Sequence, residues 1–162
     1  SGAEVELVNQ ENGQTALKNA LKSIKKEYDY IFIDCPPSIG PLTVNALAAS
    51  DSAIIPVQCE YYALEGLSQV LNTIGLVQQK LNKKLEIFGI LFTMYDGRTN
   101  LSDQVIQSVR ATLRENIFET VIPRNVRLAE APSHGEPITT YDPSSRGAES
   151  YRMLAAELLN KG

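Results

Sequence analysis

Only two cysteines and a single histidine occur in this sequence, and each scarcity removes a class of chemistry. Cys35 and Cys59 stand far apart with no CxxC partner, so a structural zinc site is not expected. Spacing leaves a disulfide open, but two buried cytosolic thiols are the expectation. With His134 as the one imidazole, no Cys–His or Ser–His nucleophilic pair exists that does not use it. Ser133-His134-Gly135-Glu136-Pro137 reads instead as a helix ending in a turn, and Ser38 has no evident base. No apolar run reaches the ~18 residues of a membrane span. No signal peptide opens the chain, so a cytoplasmic location is expected. The net charge of −4 lacks the positive excess of a protein that coats nucleic acid through bulk charge. Any such contact must come from a local patch, including one assembled by dimerisation. Internal repeats, low-complexity tracts and Pro/Gly-rich linkers are also missing, so residues 1–162 are expected to form a single domain.

What is present suffices for one core, with 43% hydrophobic residues distributed in alternating helical and strand patterns. After Asn12-Gly13 a helix is predicted to about Glu27, with Leu17, Leu21, Ile24 and Tyr28 inward and Lys18, Lys22, Lys25 and Lys26 on a solvated face. Tyr30-Ile31-Phe32-Ile33 has the continuous apolarity of a central parallel strand buried on both faces. Ala53–Val57 reads as a second strand, bent near Pro56, and Ile87–Thr93 as a third. Thr120-Val121-Ile122 makes a short fourth ending at Pro123. Helices are predicted over about 63–81, with Leu64, Leu67, Leu71 and Ile74 buried, and from a Thr99 or Asn100 cap, with Leu101, Val105, Val109 and Leu113 inward. A last helix spans about 147–159, burying Tyr151, Leu154, Ala155 and Leu158. The fold class is α/β, a doubly wound and mostly parallel sheet. About four strands fall short of the five or more usual in such sheets, so the sheet is expected to be incomplete, lacking N-terminal elements.

The most informative segment is Asp34-Cys35-Pro36-Pro37-Ser38-Ile39-Gly40, which follows the first apolar run. Ligands gather at the carboxyl ends of parallel strands, and a carboxylate there can hold Mg²⁺ through water. Two prolines stiffen the loop while Gly40 permits a turn, a combination suited to a switch. An aspartate that merely ends a strand and caps a turn fits the same residues.

With Leu42-Thr43-Val44-Asn45-Ala46-Leu47 behind it, the segment resembles the Walker B and switch II region of the ParA/Soj family of deviant Walker P-loop ATPases. The resemblance continues through Pro56–Leu67, Thr93–Leu101 and Ile122–Ser133, in order, over nearly the whole chain. It implies an ATP-dependent, dimerising chromosome- or plasmid-partitioning switch that binds DNA non-specifically. A ParB-type centromere-binding partner would stimulate hydrolysis, and the location would be nucleoid-associated. Residue by residue it implies Asp34 as the catalytic, Mg²⁺-organising carboxylate, Pro123, Arg124 and Asn125 beside the adenine of ATP, and Arg98 and Arg127 on DNA. Asn125 as a helix cap is the other reading of that residue, and residue type alone favours the two arginines as solvated surface charges, a preference that the matched motifs reverse.

The phosphate loop of such ATPases needs glycines and a lysine, yet no glycine here is followed by lysine. A chain of these residues alone is expected neither to bind ATP tightly nor to hydrolyse it, and to expose apolar faces. A non-catalytic ParA-like interaction module is the other reading. Branches of the superfamily that hold clusters with cysteine fit Cys35 and Cys59 less well. The last helix, with Ala155 and Ala156 on its apolar face, reads as packing against a core rather than a membrane.

Overall fold

The computed structural model describes residues 2–113 and 116–161, an α/β fold with parallel strands. Its elements are α1 (Gly2–Asn9), α2 (Ala16–Leu21), α3 (Pro41–Ala49), β1 (Ser52–Gln58), α4 (Ala63–Lys80), β2 (Glu86–Thr93), α5 (Asn100–Thr112), α6 (Val126–Glu130), α7 (Ile138–Tyr141) and α8 (Arg146–Lys161). Turns of 3₁₀ helix lie at Gly13–Thr15 and Ala131–His134. The chain packs as two compact units, Ser1–Ala53 with Ser68–Ile87, and Ile54–Leu67 with Phe88–Gly162.

Strands β1 and β2 pair in parallel register. Glu86 N donates to Asp51 O at one end, at 3.1 Å, and Cys59 N donates to Thr93 O at the other, at 3.0 Å. Both strands are rich in β-branched residues and lie where the apolar runs predict them.

In the first unit, the buried side chain of Asn45 on α3 ties three segments together. Its Nδ2 donates to Gly13 O at 2.8 Å and to Pro41 O at 3.2 Å, and its Oδ1 accepts from Leu17 N at 3.2 Å. Gly13 is required here, because a β-carbon would run into the Leu7 carbonyl. Asn82 serves the same purpose after α4, donating to Leu47 O at 3.1 Å and Ser50 O at 2.7 Å. Each amide thereby ties backbone carbonyls of separate segments together in the interior of this unit.

Two expectations fail in this unit. The helix predicted to about Glu27 ends at Leu21 and continues as hydrogen-bonded turns, leaving Ile24 and Tyr28 exposed. Tyr30-Ile31-Phe32-Ile33 is neither strand nor helix, and Phe32 is 74% exposed. A strand exists through the ladder it shares with a neighbour, and no described residue pairs with this run. Tyr30 and Phe32, two residues apart, stack with ring centroids 6.3 Å apart.

In the second unit, Leu91, Phe118 and Ile122 form a core against which Ile54, Phe88, Leu128 and Leu154 pack. A smaller cluster of Ala131, Ile138 and Ala148 shares Leu128. The strand predicted at 120–122 is not regular either. Residues 116–124 run parallel to β2 through isolated bridges, Ile90 with Ile117 and Tyr95 with Pro123. Between them the backbone N–H groups of Glu119 and Thr120 donate to the Glu157 carboxylate on α8, at 2.8 and 3.0 Å, instead of to a ladder. On α5 Ser102 is buried and Leu101 exposed, reversing the expected order, while Val105 and Val109 are buried as expected. On α4 Leu67 and Ile74 are buried but Leu64 is exposed, and on α8 so is Tyr151. No described helix is long and apolar enough to cross a membrane.

Candidate functional site

Within the second unit, the carboxyl ends of β1, β2 and the 116–124 segment open onto one cleft of about 550 Å³. Carboxyl ends are where parallel sheets gather ligands. β1 delivers Cys59, Glu60 and Tyr61, β2 delivers Met94, Asp96 and Arg98, and the third segment delivers Arg124.

The loop after β2 is fixed from several sides. Met94 bends it with φ +54°, a conformation non-glycine residues adopt at a cost and retain where the surroundings over-determine it. Hydrogen bonds from three directions do so here. Tyr95 N donates to Ile122 O at 3.1 Å, Arg124 N donates to Tyr95 O at 2.8 Å, and Asp96 N donates to Ser102 Oγ at 3.2 Å. Thr99, the residue preceding α5, donates from Oγ1 to Asp96 O at 3.0 Å. Buried Ser102 therefore anchors the loop, a role hidden in sequence because Leu101 beside it carries the apolar signal.

Charge in the cleft is arranged in pairs. Arg124 Nη2 reaches Glu60 Oε1 at 2.9 Å. Arg98 grips Asp96 with two bonds, Nε to Oδ1 at 2.9 Å and Nη2 to Oδ2 at 2.7 Å, and its backbone N–H adds a third to Oδ1 at 3.1 Å. These side-chain and backbone bonds hold the Asp96 carboxyl well below the ordinary carboxylate range. Tyr95 Oη donates to Asp103 Oδ1 at 3.0 Å, which raises the phenol's pKa. Burial, and secondarily the Asp103 charge, pushes the Cys59 thiol up to about 11.

The remaining expected site residues fall as follows. Pro123 bridges to Tyr95 at the strand end. Asn125 caps α6, its side chain accepting from Arg127 N at 2.8 Å. Arg127 Nη1 meets Glu130 Oε2 at 2.9 Å and its Nε lies 3.4 Å from Asp142 Oδ2. Asp34 belongs to the first unit and is exposed after the Tyr30–Ile33 run, with no hydrogen bond or ion pair to the described residues. Cys35 beside it is exposed, correcting the expectation of two buried thiols, while Cys59 is buried. His134 stacks on Tyr141 with centroids 4.8 Å apart, the structural role its sequence context suggests. Glu60 and Tyr61 were visible in sequence only as members of a string, since no spacing rule marks them.

No cluster of three or more His, Cys, Asp or Glu able to hold a metal occurs among the described residues. A lone exposed carboxylate such as Asp34 fits the sparse protein share of a Mg²⁺ site, where water and phosphate oxygens supply most ligands.

A family model described as an AAA domain matches residues 1–87. The sporulation initiation inhibitor protein Soj of Bacillus subtilis is 62% identical over 162 residues, covering 100% of this chain and 64% of that protein. The chromosome partitioning protein ParA of Myxococcus xanthus is 57% identical over 161 residues, covering 99% of this chain and 57% of that protein. Among solved structures, cobyrinic acid a,c-diamide synthase from Mycobacterium smegmatis with bound ATP analog and magnesium superposes with a TM-score of 0.79 at 37% identity, over 98% of this chain and 57% of that one. The chain thus spans between 57% and 64% of the length of these proteins.

Proposed function

Since this chain belongs to the ParA/Soj family of P-loop partitioning ATPases, we propose that it works within an ATP-dependent switch that binds DNA non-specifically and partitions chromosomes or plasmids. The observation that carries the reading is the convergence of three strand ends on one cleft edged by Arg98 and Arg124. ATP with Mg²⁺ supplies the phosphoanhydride whose hydrolysis resets the switch. Asp34 contributes a carboxylate to Mg²⁺ through water, and its Pro36-Pro37 neighbours transmit the change. Pro123 offers the adenine an apolar wall, while Arg124 and Asn125 offer polar groups to its edge. Asn125 caps a helix through Oδ1, which leaves its amide nitrogen for a ligand.

Two copies close around nucleotide in this scheme, bringing together two sets of Arg98 and Arg127 on duplex phosphates. Pairing two copies doubles the number of arginines that face the duplex, which a chain of net charge −4 needs because it cannot hold DNA through bulk charge. A ParB-type partner stimulates hydrolysis and releases DNA. The switch acts in the cytoplasm on the nucleoid and not at a membrane. Leu154 of α8 packs into the core cluster and Glu157 holds backbone, so that helix is already committed.

A second reading concerns the 162 residues by themselves: they neither bind ATP tightly nor hydrolyse it, because no glycine among them is followed by lysine. Calorimetry with Mg-ATP on this chain tests it, and micromolar binding contradicts it. For the DNA function, Arg98→Ala and Arg127→Ala are made in the protein as its gene encodes it. Each is expected to weaken binding to arbitrary duplex DNA. The log–log salt slope should flatten by about 0.9 for each phosphate that is no longer neutralised. Unchanged affinity and slope contradict it.

A further inference from the structure

Both arginines assigned to DNA are already occupied by carboxylates of the same chain. Asp96 takes the Nε–Nη2 edge of Arg98, and Glu130 and Asp142 take Nη1 and Nε of Arg127. Counting these side chains alone, the first group is neutral and the second carries one excess negative charge. A phosphate approaching either arginine therefore meets a field that its carboxylates have largely cancelled.

The pairing does not block contact. A guanidinium has five N–H donors, so the carboxylates leave Nη1 of Arg98 and Nη2 of Arg127 untaken, with the Tyr141 hydroxyl also beside Arg127. The Arg98 side chain is 86% exposed while its partner Asp96 is only 19% exposed. The cation thus faces solvent with the anion tucked behind it. Asp96 is also hard to dislodge, since its Oδ1 accepts the Arg98 backbone N–H as well. Glu130 is held similarly by the Tyr141 hydroxyl at 3.2 Å.

Resting on the DNA reading above, we propose that Asp96 and the Glu130–Asp142 pair are affinity-setting residues. They stay bound to Arg98 and Arg127 in the DNA complex and keep each phosphate contact weak, so that no single arginine holds the duplex and separation of the two copies releases it. They touch no phosphate themselves and act through the arginines. The alternative, that the carboxylates aim the guanidiniums and so strengthen DNA binding, predicts the opposite sign on their removal.

The test measures binding to a duplex of arbitrary sequence over a salt series, with the gene-encoded protein under saturating Mg-ATP. Asp96→Asn keeps an oxygen for the Arg98 backbone N–H and removes the charge. Asp142→Asn, alone and with Glu130→Gln, does the same around Arg127 and serves if the first variant melts early. Tighter binding is expected, on the order of twofold per charge removed near ~0.1 M salt, the size of one screened unit charge acting across ~6 Å of solvent. The salt dependence is expected to steepen as well. Unchanged or weaker binding by folded carboxylate variants, while Arg98→Ala and Arg127→Ala lose DNA, overturns the proposal and leaves the DNA reading standing. Retention of DNA by both alanine variants overturns the DNA reading and this proposal with it.

Discussion

Leu128 on α6 rests against Gly147 on α8, where a β-carbon would come within 2.6 Å of Leu128 Cγ. Leu128 also packs against both hydrophobic clusters of the second unit, so it has little room to retreat. Gly147→Ala is therefore expected to destabilise the protein by about 1–3 kcal/mol, read as a lower urea midpoint. An unchanged midpoint would show that α6 and α8 can separate without cost.

Glu157 gives a second handle on the same helix. Partial burial pushes its pKa up, but bonds from Lys161 and from the backbone N–H groups of Glu119 and Thr120 prevail and hold it at about 2 against an ordinary 4.5. A depressed carboxyl stabilises fully above its unfolded pKa and loses that stabilisation as pH falls through its folded one. Glu157→Gln is expected to cost about 1.5–3 kcal/mol near neutral pH. The gap from the parent should close between about pH 5 and pH 2. A gap independent of pH would mean the charge contributes nothing.

Asn45 predicts a local effect in the other unit. Asn45→Ala leaves the Gly13 carbonyl and the Leu17 N–H without their partner, at about 1–3 kcal/mol. Hydrogen exchange should show reduced protection at the Leu17 amide, with β2 amides unaffected. A uniform reduction across both units would contradict a local role.

The two thiols should separate cleanly. Cys35 is exposed, its thiol pKa raised by partial burial and by the Asp34 charge, whereas Cys59 is buried and pushed up to about 11. A thiol-titrating disulfide reagent is expected to modify one cysteine at once and the second only in denaturant. Two fast thiols would contradict the packing around Cys59.

Much of this architecture is legible in the sequence because its signals are local. Ala53–Val57 and Ile87–Thr93 announce their strands through β-branched apolar runs, and 63–80 its helix through 3.6-residue spacing. Failures occur where pairing or partners are non-local. Tyr30–Ile33 has a strand's composition without a neighbour among the described residues, and composition cannot report one. At Glu119 and Thr120 the ladder yields to a carboxylate from a helix some 37 residues later, which no window of sequence contains. In the site, Arg98, Arg124 and Arg127 are conspicuous as cations, but the carboxylates that hold them follow no fixed spacing. Asp96 precedes Arg98 by two residues, while Glu60 lies 64 residues before Arg124.

Nucleotide-switched DNA binding is tested most directly by one titration. The gene-encoded protein is titrated against a duplex of arbitrary sequence with Mg-ATP, with Mg-ADP and without nucleotide. Salt-sensitive, sequence-independent binding is predicted with Mg-ATP, weakening at least tenfold in the other two states, about 1.4 kcal/mol of coupling. Equal affinity in all three states, or none in any, would contradict a nucleotide switch on DNA.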